Sequence, residues 1–266
     1  MVKISSRDNQ RIKQARKVRE SLIGDAIFVE GLRLAEEVLR SNLEISDIFF
    51  TDSFSQTERG QAFLQKVENL NLAEIPEKIL ASLSDTKNPQ GIVLICEKPK
   101  TNKQKIESAL QTDSQKIPLV ILLHQTNNPA NQGAILRTCE AVGVSGVILT
   151  KNSADIFSSK ALRGAMGASL RLPIWSNVDF FDVISWAKEK NFTSVCADVN
   201  AKKSYLEIDW KKPRLLVFGS EAHGLSQEER SVIDESLLIP MENQVESLNL
   251  AVSSGVILYE AKRQRE

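Results

Sequence analysis

The amino-acid sequence predicts an α/β fold made of two domains. Its 266 residues exceed the usual size of a single domain. Apolar runs of strand length alternate with helical segments on both sides of residues 98–116, a polar stretch with almost no large apolar side chains. We therefore expect a first domain over residues 1–97, a linker with a short helical piece over 98–116, and a second domain over 117–266.

The first domain is expected to be a three-layer α/β/α sandwich. A basic helix is predicted near Asp8 to Ser21, followed by the strand AIFVE, a helix from Gly31 to Arg40 and the strand ISDIFF. Two further pairs of helix and strand end at GIVLIC. This alternation favours helices on both faces of one sheet.

The second domain opens with PLVILLH (Pro118–His124), an unbroken apolar run typical of a parallel strand that is covered on both faces. Open parallel sheets bind ligands at the loops that leave the carboxyl ends of their strands, so functional residues are expected in those loops. Further strands, with helices between them, are predicted at GVILT, SVCADV, RLLVFG and LLIP.

Composition excludes several classes of protein. The 34 basic and 34 acidic residues balance, so any nucleic-acid-binding surface must be local. Cys96, Cys139 and Cys196 lie far apart in apolar runs, which indicates reduced core thiols in an intracellular protein. No segment has the length of a signal peptide or a spanning helix, so we expect a cytoplasmic protein. Only His124 and His223 are present, without a CxxC or HExxH pattern, so no metal site is expected.

Basic residues are concentrated in the first twenty positions, where Asp8 and Glu20 are the only acidic ones. One interpretation is a solvated helix face, and the other is a surface that binds RNA or phosphate. Both remain open at this point. The candidate RNA contacts are Arg7, Arg11, Lys13, Arg16 and Lys17.

The loop after the first strand of the second domain runs into the helix NPANQGAILRTCEAVG. Asn131 is expected to cap this helix, which should end at Gly143. Helical spacing places Arg137 on the side opposite the apolar stripe. Arg137 then either forms an exposed pair with Glu140 or faces a ligand in the space that Gly133 leaves open.

Two later loops also follow strands. In GSEAHGLS, Glu221 could orient a ligand, or the loop is a plain glycine turn in which Ser226 caps the helix SQEERSVIDESLL. The sequence has neither GxGxxG after a strand nor GxxxxGK[ST], so no nucleotide fingerprint is present. In IPMENQVESLN, Ser247 or Asn249 could simply cap the next helix. The small residues of that helix favour a tightly packed interior or a dimer contact; they are Ala251, Ser253, Ser254 and Gly255.

The order and spacing of these loops resemble the SpoU, or TrmH-type, RNA ribose 2'-O-methyltransferases of the SPOUT superfamily. Motif 1 is NxGxxxR (Asn131–Arg137), motif 2 is GSExxGLS (Gly219–Ser226) and motif 3 is IPMxxxVESLN (Ile239–Asn249). The stretches SSRDNQRIKQARK, FVEGLRLAEEVL and SDTKNPQGIVL resemble the L30e-like RNA-binding domain that precedes the catalytic domain in many members.

The resemblance implies an L30e-like substrate-binding domain (1–97) and a SPOUT methyltransferase domain (117–266) whose parallel sheet ends in a C-terminal trefoil knot. It implies S-adenosyl-L-methionine as cofactor, no metal, and a homodimer whose active site is completed across the interface. The implied catalytic residues are Asn131, Arg137, Glu221, Ser247 and Asn249. The implied cofactor-binding residues are Gly219, Glu221, Gly224, Ile239, Met241, Ser247 and Leu248.

The implied reaction is methylation of a ribose 2'-hydroxyl in RNA, with large-subunit (23S) ribosomal RNA as the expected substrate because the two-domain layout resembles members that act on it. Transfer RNA is one alternative, and a non-catalytic RNA-binding factor of ribosome assembly is another. A free guanidinium resists deprotonation, so we expect Arg137 to position the substrate rather than to act as a base. Two positions depart from the family pattern, since Ala222 and Asn243 stand where glycine is usual.

Overall fold

The computed structural model describes residues 2–112, 116–243 and 245–266. They form two compact units: one contains the chain up to Lys100 together with Ile156–Arg171, and the other contains Thr101–Asp155 and Leu172–Glu266. The first unit therefore includes a segment from the predicted second domain. Residues 113–115 of the predicted linker and Gln244 of motif 3 lie outside the described residues.

The first unit contains a five-stranded sheet with the order β1-β4-β3-β5-β2. Strand β5 runs antiparallel to β2 and β3, whereas β1, β3 and β4 are parallel. The predicted strands AIFVE and ISDIFF are confirmed as β2 and β3. The strands are β1 (Val2–Lys3), β2 (Ala26–Glu30), β3 (Ile45–Phe50), β4 (Leu72–Glu74) and β5 (Ile92–Glu97).

Both faces of this sheet are covered. The consecutive residues Ile27, Phe28 and Val29 of β2 are all buried, and neighbouring residues of a strand point to opposite faces. This burial fits the three layers expected from the sequence. The helices of the unit are α1 (Gln10–Arg19), α2 (Leu32–Arg40), α3 (Asp52–Ser55), α4 (Glu58–Lys66), α5 (Glu77–Leu83), α8 (Ser159–Ala165) and α9 (Ala168–Arg171).

The second unit contains a seven-stranded sheet with the order β10-β12-β9-β11-β6-β7-β8, in which every described pairing is parallel. The five strands predicted for this region are all present, and β8 and β10 were missed. Only two of the five β8 residues are buried, so its apolar pattern is weak. The strands are β6 (Leu119–Leu123), β7 (Gly146–Thr150), β8 (Ile174–Val178), β9 (Thr193–Ala197), β10 (Lys203–Ser204), β11 (Arg214–Phe218) and β12 (Glu235–Leu238).

The described part of this unit contains five α-helices. Helix α6 lies within the predicted linker, where Ile106 is fully buried, and α12 packs against α7. The helix predicted from Ser226 to Leu238 is wrong in length, because residues 235–238 instead form a strand, of which residues 235–237 pair with β9. The helices are α6 (Lys103–Thr112), α7 (Pro129–Val142), α10 (Phe180–Glu189), α11 (Gln227–Ser231) and α12 (Leu250–Arg265).

The two ends of α7 are set by Asn128 and Gly143. Asn131 was expected to cap α7, but the cap is Asn128, whose side chain accepts from the Ala130 amide at 3.0 Å. The helix begins one turn earlier because Pro129 occupies its first position. It ends at Gly143 with a left-handed backbone (φ 75°), as predicted.

Other expectations concern burial and composition. All three cysteines are buried and free. Across the described residues, no helix is both long enough and apolar enough to cross a membrane. The same parts of the chain hold no cluster of three or more His, Cys, Asp or Glu side chains that could bind a metal ion.

Candidate active site

A cleft of about 1140 Å³ opens at the carboxyl ends of four neighbouring strands of the second unit. Its lining includes Gln125 after β6, Asp198 after β9, Gly219 after β11 and Ile239 after β12. This volume is above the several hundred Å³ of an ordinary small-molecule pocket, so the cleft has room for a nucleoside-sized ligand and part of a second molecule.

Glu221 of motif 2 reaches across to the start of α7. Its carboxylate accepts hydrogen bonds from the backbone amides of Asn127 (3.0 Å) and Asn128 (3.3 Å). Amides that precede a helix point their N–H groups outward, which makes this position favourable for an anion. The contact therefore ties motif 2 to the loop that leads into motif 1.

A chain of side-chain amides extends this contact to motif 3. Asn131 donates from Nδ2 to Glu221 Oε1 at 3.4 Å, and its Oδ1 accepts from Asn249 Nδ2 at 3.1 Å. Asn249 also caps α12, because its Oδ1 accepts from the Ala251 amide at 2.9 Å. One continuous hydrogen-bonded path thus joins all three motifs, although Asn131 of motif 1 lies 90 positions before Glu221 and 118 positions before Asn249.

Motif 2 forms a closed turn. Ser220 and Gly224 exchange backbone hydrogen bonds of 3.2 and 2.9 Å. A Cβ atom at Gly219 would lie 2.4 Å from the Gly224 carbonyl carbon, and Gly224 itself has φ +64°. Both glycines are therefore required by the backbone and not only by the ligand.

The two departures from the family pattern are accommodated differently. Asn243 has φ 55°, a left-handed conformation that asparagine adopts more easily than most residues. Ala222 is not among the described residues with positive φ. Neither substitution forces strain on its loop.

The predicted site residues fall into two groups. The cleft is lined by four of the five catalytic candidates and by every cofactor-binding candidate. Arg137 is the exception, because it is exposed on α7 and outside the lining. Within the described residues the Arg137 side chain makes no hydrogen bond or ion pair, so the expected pair of Arg137 with Glu140 does not form.

The predicted RNA contacts on and before α1 also divide. Arg11 is committed to the fold, since it pairs with Asp47 at 2.7 Å and lies over the Phe49 ring. Arg7 donates to the Lys78 carbonyl, and Lys13 pairs with Asp8. Among the described residues, only two of the five candidates have no side-chain partner, and these are Arg16 and Lys17.

Sequence reasoning missed a buried histidine beneath the site. His124 follows β6, is 4% exposed and contacts Glu229 through Nε2 at 2.9 Å. Burial lowers the pKa of His124, an effect that the Glu229 carboxylate partly offsets. The available signal was the position of His124 at the end of the predicted strand PLVILLH.

Comparisons with known proteins show the family of the chain. A model of the SpoU rRNA Methylase family matches residues 118–259, more than half of the chain, and a model of the MRM3-like substrate binding domain matches residues 9–94. The chain is 28% identical to an uncharacterised tRNA/rRNA methyltransferase of Synechocystis sp., covering 98% of this chain and 94% of that protein.

Two further relatives are similar along nearly their whole length. The chain is 27% identical to the 23S rRNA (guanosine(2553)-2'-O)-methyltransferase RlmP of Bacillus subtilis, over 97% of this chain and 98% of that protein. An AdoMet-bound rRNA methyltransferase from Sinorhizobium meliloti matches with a TM-score of 0.83 at 27% identity, covering 98% of this chain and 97% of that one. The protein therefore belongs to the SpoU rRNA methylase family, whose α/β fold with a parallel sheet it shares.

Proposed function

We propose that the protein is an S-adenosyl-L-methionine-dependent RNA ribose 2'-O-methyltransferase that acts on large-subunit ribosomal RNA. The observation that carries this proposal is the hydrogen-bonded path from Glu221 through Asn131 to Asn249 along one cleft. The name of the Bacillus subtilis relative supports the substrate, and the AdoMet-bound Sinorhizobium meliloti structure supports the cofactor.

The cleft suits this cofactor chemically. S-adenosylmethionine supplies a methyl group on a positively charged sulfonium. The turn from Gly219 to Gly224 and the backbone at Ile239–Met241 provide polar main-chain groups, while Leu225 and Leu248 provide apolar surface for an adenine ring. The Glu221 carboxylate supplies negative charge at the same cleft.

The residues of this chain would then align the reactants rather than react themselves. When bound, the cofactor would supply its methyl group to the ribose 2'-oxygen and would leave as a neutral thioether, while the hydroxyl proton would pass to a phosphate or water. Arg137 holds the nucleotide phosphate and polarises the hydroxyl. Ser247 and Asn249 orient the ribose, and Glu221 steadies Asn131 and Asn249.

We also propose a homodimer in which Arg137 completes the site of the partner copy. Arg137 is exposed, unpaired and outside the cleft of its own chain. On α12, which packs against α7, Val252 and Tyr259 are 53% and 55% exposed, and their spacing of seven residues places them on one face. An apolar face on a helix beside Arg137 is a suitable contact for a second copy.

Three finer assignments belong to the same proposal. Residues 1–97 would form an L30e-like RNA-binding domain, which the substrate-binding-domain match over 9–94 supports. The segment from β12 through α12 would form the trefoil knot of the SPOUT fold, within a catalytic domain over 117–266 that follows a linker over 98–116. An enzyme that modifies ribosomal RNA would work in the cytoplasm.

Two experiments test the proposal. Isothermal titration with S-adenosylmethionine should give a saturable single-site isotherm, and the absence of binding would favour the non-catalytic assembly factor. Mapping of 2'-O-methylation in ribosomal and transfer RNA, with and without the gene, should reveal one lost site in 23S ribosomal RNA. Loss of a transfer RNA site instead would establish the transfer RNA alternative.

A further inference from the structure

We infer that His124 is a positioning residue of the cleft, holding motif 2 against the start of α7 through Glu229. This inference rests on the proposed function, because the role it assigns is to shape the cofactor-binding turn. The structural observations behind the inference are the contacts of the buried His124 imidazole, which takes no part in the methyl-transfer step.

The His124 ring is fixed on three sides. Its Nε2 lies 2.9 Å from Glu229 Oε1, its Nδ1 lies 3.2 Å from the Thr150 hydroxyl, and its edge packs on the Phe180 ring at 4.9 Å between centroids. The backbone amide of His124 donates to the Phe218 carbonyl at 2.8 Å, which joins β6 to β11 directly before motif 2.

These contacts define which ring nitrogen carries the proton. The Nε2 atom faces a carboxylate, so it donates. The Thr150 oxygen already accepts from the Gln125 amide at 3.0 Å, which leaves its proton free to donate to Nδ1. A neutral imidazole protonated at Nε2 satisfies all of these partners, in agreement with the lowered pKa that burial causes.

Glu229 passes this constraint to motif 2. Its second oxygen accepts from the Ser226 amide at 2.7 Å, and its own amide donates to the Ser226 hydroxyl at 3.2 Å, so the two residues form a capping box. Ser226 is the last residue of motif 2. The capping box therefore fixes that end of the turn to the His124 ring.

Motif 2 is thus held at two points to one segment of chain. Glu221 binds the amides of Asn127 and Asn128, and Ser226 is held through Glu229 to His124. The turn between these points supplies Gly224 and Leu225 to the cleft wall. Release of the His124 contact should leave the fold in place but loosen this wall.

The test compares two substitutions of His124. His124→Gln places an amide nitrogen near the position of Nε2 and can still donate to Glu229, whereas His124→Asn is one carbon shorter and cannot reach it. We expect the Asn variant to raise the dissociation constant for S-adenosylmethionine by about tenfold and to speed amide hydrogen exchange in residues 219–229. The Gln variant should stay within roughly threefold of wild type in affinity.

Ile106→Val is the matched control for lost stability. Ile106 is fully buried against Gly146, at the end of β7 opposite to Thr150, so it is remote from motif 2 along that strand. We expect this variant to lower the melting temperature without changing cofactor affinity or exchange in residues 219–229.

The outcomes separate this inference from the proposed function. The positioning role is wrong if the Gln and Asn variants have the same cofactor affinity and the same hydrogen exchange. It is also wrong if Ile106→Val weakens cofactor affinity as much as His124→Asn does while lowering the melting temperature by the same amount. If wild type binds no S-adenosylmethionine, the proposed function fails, and the exchange measurement still decides whether His124 holds motif 2.

Discussion

Replacement of Glu221 by glutamine tests the junction of the three motifs most directly. The carboxylate accepts from the Asn127 amide, the Asn128 amide and the Asn131 side chain. A glutamine can present only one oxygen, so its NH₂ group must face at least one of these donors. The path to Asn249 would then lose its charged end.

The magnitude follows from these three bonds. A hydrogen bond to a charged group contributes about 1.5–3 kcal/mol when buried, but Glu221 is exposed, so water reduces this considerably. We expect a total loss of about 1–2 kcal/mol in cofactor binding, or roughly 5- to 30-fold in the dissociation constant. The unfolding free energy should change by less than about 1 kcal/mol, because the site is at the surface.

Titration calorimetry with S-adenosylmethionine and thermal unfolding provide the two measurements. Glu246→Gln is the matched control: Glu246 lines the same cleft, is exposed, and makes no side-chain hydrogen bond with a described residue. It should change affinity by less than about threefold. Equal effects of both substitutions would mean that only overall charge matters, and the reasoning from the hydrogen-bonded path would be refuted.

Four other predictions concern separate parts of the molecule. Arg137→Ala should reduce methylation by at least about 10²-fold while circular dichroism and gel filtration show an unchanged folded dimer; near-normal turnover would contradict its assignment. Replacement of Arg16 and Lys17 together by glutamate should weaken RNA binding in a filter assay but leave cofactor affinity unchanged. An equal loss of RNA affinity and cofactor affinity would argue against α1 as an RNA surface. Gly219→Ala should abolish cofactor binding because its Cβ would overlap the Gly224 backbone, whereas Gly24→Ala, with open space around it, should be silent. Burial lowers the pKa of His124 below its ordinary 6.5, and the nearby Glu229 and Asp179 carboxylates offset only part of this shift. The contribution of His124 to stability is therefore present above about pH 6.5 and is lost as pH falls through the lowered pKa. The free energy of unfolding measured with urea should therefore fall more steeply toward pH 5 for wild type than for His124→Gln. If the two plots of this free energy against pH are parallel, the linkage to His124 is excluded.

The strands were the most predictable part of the fold. Runs such as LVILL (β6) and RLLVF (β11) are buried at every position, so their sequences consist almost entirely of side chains suited to a covered strand. Strand β8 contains Ser176 and Asn177 and is only partly buried, so the same criterion could not detect it.

The site was predictable only through the resemblance. Each motif alone fits an ordinary cap or turn, and Asn128, Ser226 and Asn249 do act as helix caps. What joins them is contact between residues far apart in sequence, and no local pattern contains that information. The His124–Glu229 contact was missed for the same reason, because residues 124 and 229 are 105 positions apart and neither belongs to a recognised motif.

The placement of residues 156–171 has a consequence for how the chain matures during synthesis. This segment joins the first unit through Arg163, which pairs with the nearly buried Glu30, and through Arg171, which pairs with Glu37. A ribosome must therefore translate beyond residue 171 before the first unit can acquire all of its own parts. Until then its β2 edge lacks α8, and Glu30 lacks a cationic partner.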